Sequence, residues 1–321
     1  MIKRISILLL ALVPTILWAQ FAPEAGVAGT TAMHADSSAF VAWATGCTIE
    51  RGPQQIDDPS LGVVSYGSDA DGIGKADNMV VSLGDGGAAV LTFDSPICNK
   101  RGPDFAVFEN PFHNAPHCFL ELAFVEVSSD GENFFRFPAV TNVPYDTQMG
   151  GFGVMDATLI HNFAGKYEVF YGTPFDLDEV EDNDLLDKGN ITHIRLVDVI
   201  GTINPDYATY DSEGHIVNDP FPTPFYSSGF DLDAIGVIHD RDHCNVMENE
   251  TDMVAMYPNP VSDRLTVQAA NLQSVEVYNL MGQLVMTTTS SVIDMAELNQ
   301  GIYFVRVMTD GKAITKRIVK Q

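Results

Sequence analysis

Short apolar runs rich in Val, Ile, Phe and Tyr, each closed within a few residues by Gly, Pro, Asn or Asp, recur along this chain, and long helical repeats are absent. That punctuation constrains the fold more than any other feature. Frequent turn residues interrupt helices, whereas β-branched and aromatic runs suit half-buried strands. The runs predict strands over 88–93, 104–109, 120–128, 133–139, 166–171, 191–199 and 230–239. One short helix over 36–43, with Asp36 as its N-cap, competes with a strand reading of the same residues. Many strands without intervening helices define an all-β chain of the sandwich or jelly-roll kind.

The ends differ from the middle. Lys3 and Arg4 precede an apolar run from Ile5 to Trp18, and Ala19 offers a small residue for cleavage, so 1–19 reads as a secretory signal peptide. No later stretch is long and apolar enough to predict a transmembrane span. The formal net charge is −26, and residues 21–253 carry it, with 9 basic and 38 acidic residues, whereas 254–321 hold 6 and 5. A body this acidic excludes nucleic acid and disfavours anionic membrane surfaces as partners. Export gives Cys47, Cys98, Cys118 and Cys244 an oxidising compartment; up to two bridges are expected in the body, with three pairings open.

The last 66 residues alternate apolar and polar positions, as in Val275 and Val277 and in Tyr303, Val305 and Val307, with Gly and Asn at the turns. Tyr257, Pro258, Asn259 and Pro260 open the segment. The run VYNLMGQLV follows, then Gly301 and Tyr303, and a basic last strand holds Lys316, Arg317 and Lys320. This segment resembles the type A C-terminal sorting domain of the type IX secretion system. The resemblance implies an immunoglobulin-like β-sandwich over 255–321, read by an outer-membrane translocon and then removed by a sortase as the cargo is attached to the surface. Pro258, Asn259, Pro260, Gly301, Tyr303 and Lys316 would carry the sorting signal. A polar, acidic linker over 240–254 separates it from the body, 20–239.

Within the body, LELAFVEVSSDGENFFRFP is followed by ITHIRLVDVIG and GFDLDAIGVI. This order of strands, with a tight turn at Asp130-Gly131, resembles the galactose-binding-like, discoidin-related jelly roll found in bacterial cell-surface proteins. Carbohydrate is the ligand class that the resemblance suggests, with a corrinoid or another nutrient as a further candidate.

Four constellations offer chemistry. Asp69, Asp71 and Asp77 place oxygen donors in a Gly-containing loop suited to Ca²⁺, against the plainer reading of a solvated loop. The run 176–187 is denser in acid but reads as a hydrated surface. Glu109, Asp231 and Asp233 are carboxylate candidates for acid–base hydrolysis, the two aspartates projecting from one face of an extended strand. His113, His117 and Cys118 share the spacing H-x3-H-C with His239, His243 and Cys244, a donor set for Zn²⁺ or Cu²⁺. If Cys118 pairs with Cys244, that echo becomes one disulfide with four histidines nearby.

Aromatic residues in Pro- and Gly-rich loops, above all Trp43, Phe221, Phe225 and Tyr226, suit a platform for a flat ligand. No nucleophile elbow, HExxH pair or phosphate loop is present. The expectation is therefore an exported surface binding protein delivered by the type IX system. A secreted hydrolase and a purely adhesive or structural surface protein are the alternatives.

Overall fold

The computed structural model describes residues 21–243, 254–269, 272–309 and 312–321, in two compact units that divide between Asp240 and Arg241. The expected leader, Cys244 and most of the 240–254 linker lie outside the described residues. Among those described, no helix is long and apolar enough to cross a membrane.

The body is a sandwich of two five-stranded antiparallel sheets. One sheet has the order Met33–His34, Tyr171–Phe175, Phe105–Phe108, Ala234–Val237, Ala42–Trp43. The other runs Phe135–Arg136, Ala123–Ser128, Ile191–Asp198, Ala88–Ile97, Gly46–Glu50. Alternation sends Phe105, Val107, Ile235 and Val237 from the first sheet, and Leu91, Val125, Val127, Ile194 and Leu196 from the second, into one shared core. Phe175 stacks on Phe105 at 5.4 Å and meets the edge of Phe137 at 5.0 Å. Burying each such ring contributes roughly 1.5–3 kcal/mol.

Ala123–Ser128 is buried on both faces. Its outer face carries Phe124 into a second core with Leu122, Val143, Ile160 and Phe163, built from the segments that wrap the sheet. Those wrapping segments need polar anchoring, and buried aspartates supply it. Asp198 accepts from the amides of Gly86 and Phe230 at 2.9 and 2.6 Å, and Asp104 from those of Lys100 and Leu177 at 2.8 and 2.9 Å. Asp219 accepts from Leu122 at 2.9 Å, and Asp211 from Thr141 at 2.9 Å. Gly229 fits beside Asp198 because a Cβ there would lie 2.7 Å from its Oδ1, and its φ of +72° suits glycine. Replacing Asp198 with Ala strands the buried Phe230 amide and frees the exposed Gly86 from its anchor, so urea unfolding is expected to show a loss of about 1–3 kcal/mol. A loss below ~1 kcal/mol would mean that water replaces the carboxylate.

Three local expectations change. The strand predicted over 166–171 forms instead at Tyr171–Phe175, because Gly165 and Phe170 adopt positive φ and turn the chain before it can extend. The helix over 36–43 does not form. Ala42–Trp43 pairs with Gly236 and Val237, and Asp36 joins Lys75 rather than capping a helix. The segment 230–239 is broken at Asp233: Asp231–Leu232 pairs with Val81–Ser82, whereas Ala234–Val237 pairs with Phe105–Phe108.

The second unit is a smaller all-β sandwich. Val254–Tyr257, Arg264–Ala269 and Val292–Asp294 form one sheet; Leu284–Thr288, Leu272–Asn279, Gly301–Thr309 and Lys312–Lys320 form the other. Val267, Val275, Val277, Ile293, Tyr303, Val305, Val307 and Ile318 fill its core. Asn259 pins the entry to the last strand, donating to Arg317 O at 3.1 Å and accepting from the Val319 amide at 2.9 Å. Tyr303 is buried with its hydroxyl donating to Asn299 O at 2.9 Å, and Pro258 and Pro260 both follow cis peptide bonds.

Candidate functional site

Three carboxylates from distant parts of the sequence meet at one edge of the body. Glu109 follows the strand Phe105–Phe108, Glu121 precedes Ala123–Ser128, and Asp231 sits where the broken segment pairs with Ser82. Each is short of 10% exposed, and one carboxylate oxygen from each lies within 4.8 Å of the others. The Ser82 hydroxyl donates to Asp231, whose carboxylate also receives the Asn110 side chain. Glu109 Oε2 is buried without any hydrogen-bond partner.

Burial dominates the electrostatics here and pushes Glu109 and Glu121 well above the ordinary carboxylate range, with mutual repulsion and Asp219 adding to it. Burial also raises Asp231, to about 6.

Over this floor opens a cavity of about 200 Å³ in which Glu121 and Asp231 are flanked by Phe112, Phe119, Phe152 and Phe225. The four rings form a continuous run: Phe112 stacks on Phe119 at 5.0 Å, Phe119 lies 6.2 Å from Phe152, and Phe152 lies 5.9 Å from Phe225. Phe152 is 66% exposed and Phe225 44%, far more than a core role requires.

The other aromatic candidates separate. Trp43 packs on Phe40 and Phe108 at 5.1 and 5.5 Å, and Phe221 is buried; both serve the interior rather than a platform. Tyr226 is exposed beside Tyr66. Of the platform residues that sequence reasoning missed, Phe112 and Phe119 face each other across one short hairpin and Phe152 comes from a distant loop, so the three share no periodic signal. Glu121 was missed because it reads as one more polar position within the strand predicted over 120–128, which begins only at Ala123.

Asp233 does not share a site with Asp231. It accepts from the amides of Asp77 and Asn78 at 3.1 and 3.2 Å, because the break in the strand sends the two side chains to different segments. In the acidic loop, Asp71 accepts from Ser68 and Asp77 from the Met79 amide. Asp69, Asp71 and Asp77 do not group at metal-ligand distances among the described residues.

The His-Cys echo also divides. His113 and Cys118 face each other across the hairpin Phe112–Asn114/His117–Phe119, turned at cis Pro116, and join Glu24 in a group spanning less than 4.8 Å. His117 contacts Glu24 at 3.0 Å; Glu24, His113, Cys118 and Lys166 line a small cavity apart from the phenylalanine cleft, and Lys166 Nζ donates to Ile160 O. Burial, helped by Glu24 and Glu168, pushes the Cys118 thiol up to about 11. His239 is taken by Asp104 at 2.8 Å. Cys47 and Cys118 are both free, so a Cys118–Cys244 bridge and two bridges in the body are both ruled out. Cys98 is engaged and is not among the free cysteines.

Residues 255–321 match the family of secretion system C-terminal sorting domains. The second unit is thus a type IX sorting domain, and the chain is exported cargo destined for the cell surface or the extracellular space, with the secretion machinery as its partner. No curated protein matches the chain. Among solved structures, a β-glucuronidase of Ruminococcus gnavus is 10% identical, with 86% of this chain aligned to 43% of that one at a TM-score of 0.23. The BSP domain of a biofilm associated protein is 12% identical, covering 89% of this chain and 52% of that one at a TM-score of 0.20. The chain spans about half the length of these structures, and likeness at that level carries no argument about fold or function.

Proposed function

We propose that the body is a surface-displayed binding module that takes a saccharide-class ligand in the cleft between the phenylalanine run and the carboxylates Glu121 and Asp231. The observation that carries this reading is the exposure of Phe152 and Phe225 directly beside buried polar groups. Sugar rings offer an apolar face to an aromatic side chain and hydroxyls to a carboxylate, and this cleft presents both partners side by side. Its volume of about 200 Å³ suits one ring, so a terminal sugar unit is the ligand favoured. After export, a sortase would remove the second unit and attach the body to the surface.

Hydrolysis is the weaker reading. Glycosidases separate their two carboxyl groups by about 5–5.5 or 6.5–9.5 Å to fit the bond or a water between them. Here Glu109 is 2% exposed and does not line the cleft, which leaves Glu121 and Asp231 as the one pair of carboxyls that meets it.

The test is binding of mono- and oligosaccharides by calorimetry, comparing the natural chain with Phe152→Ala and Phe225→Ala. Each substitution removes a stacking surface and should weaken binding about tenfold, with little change in stability because both rings are exposed. A panel in which no saccharide binds, or in which both variants bind unchanged, would remove the cleft from consideration.

A further inference from the structure

We propose that Glu109, Glu121 and Asp231 together hold one calcium ion in the floor of the cleft. The inference deepens the reading of the same cleft but needs no saccharide to be true.

The donor geometry favours this ion. Calcium binds oxygen at about 2.3–2.6 Å, so two donors on opposite sides of it stand about 4.6–5.2 Å apart. One oxygen from each of the three carboxylates lies within 4.8 Å of the others, a span that a single calcium can bridge. Magnesium demands near-ideal octahedral geometry, keeps several waters and is usually held by one or two carboxylates, so a set of three suits the more permissive calcium. The all-oxygen character likewise disfavours zinc and copper, which prefer nitrogen and sulfur.

The polar accounting points the same way. Glu109 is 2% exposed, and its Oε2 has no partner although it belongs to a group of three carboxylates. A buried acceptor left open beside two further acceptors costs free energy unless a cation or a proton completes it. The Ser82 hydroxyl and the Asn110 side chain already hold Asp231 in place, as groups behind a metal ligand do. Glu121 and Asp231 also line the cleft, which leaves an approach for the ion and room for water in its remaining positions.

Calcium chloride titrated into the full chain after EDTA treatment, with no sugar present, tests the site. We expect one ion per chain and a rise in Tm of roughly 5–10 °C at 100 times Kd, reversed by EDTA. Glu109→Gln and Glu121→Gln each keep the side-chain shape but remove a charge. Either should weaken calcium binding at least tenfold while circular dichroism reports a native fold. Asp69→Asn, in the exposed acidic loop, should leave it intact.

No heat and no shift with the natural chain would overturn the proposal. So would undiminished binding in both glutamine variants, or loss of binding in Asp69→Asn, since each places the ion elsewhere. Saccharide binding without calcium binding sinks this inference alone, and calcium binding without saccharide binding sinks only the ligand reading above.

Discussion

Deleting residues 255–321 is expected to abolish appearance of the protein outside the cell, with the body accumulating behind the outer membrane. The effect should be all-or-none because the two units do separate jobs. The sorting unit has its own core of Val267, Val275, Val277, Val305 and Ile318, and the body has another, so the deletion removes an address without opening the body's interior. Fractionation and surface labelling of cells making the truncated chain read the first half of the expectation. Thermal unfolding of the retained body reads the second, and a cooperative transition close to that of the body in the full chain is expected. A milder version is Asn259→Ala, which frees the entry segment from Arg317 and Val319 and should lower export in part. Full surface display of the deleted chain would show that the body carries a second export signal.

The second large effect is on pH and stability, measured with EDTA present. Burial raises the Asp85 carboxyl to about 6 and pushes Asp198 and Asp219 well above the ordinary range. The folded chain therefore holds protons that the unfolded chain, with aspartates near 3.9, has already released. Stability from these groups is fully present below about pH 4 and declines as pH rises through 6 and beyond. For Asp85 alone the loss is on the order of 3 kcal/mol, and Asp198 and Asp219 act in the same direction. Groups held low, such as Asp36 by Lys75 and Asp182 by Lys188, are exposed and act only in more acidic solution. Urea midpoints at pH 5 and pH 8 should accordingly be higher at pH 5. A midpoint that is flat, or higher at pH 8, would show that backbone amides alone keep these aspartates ionised.

Fold class was legible because it rests on local chemistry. Val275, Val277, Tyr303, Val305 and Val307 alternate in the sequence and do so in the sandwich, with their side chains in its core. From Ile194 to Asp198 buried positions likewise alternate with half-buried ones. Reading failed where a single residue redirects the chain. Phe170 and Gly165 delay one strand, and the break at Asp233 splits another, so two aspartates assigned to a single face serve different neighbours.

The candidate site was only half legible. Glu109 stood out as a carboxylate beside a strand, Asp231 as one projecting from a strand face, and Phe225 as a loop aromatic. Glu121 and Phe152 gained their roles only when four segments met in space. Spacing along a chain predicts partners on one element; it says nothing of partners brought together by the packing of wrapping segments.

The aspartates that tie wrapping segments to the sheets have one more consequence. Proteolysis of a native protein requires a stretch of chain to come loose and enter the protease, so susceptibility follows the free energy of local opening rather than surface area. Segments held at Asp104, Asp198, Asp211 and Asp219 must each give up buried amide contacts to open. Acidic residues that look from composition like a solubilising coat thus act partly as internal rivets. For a protein working beyond the outer membrane, they convert long irregular connections into poor substrates for the proteases around it.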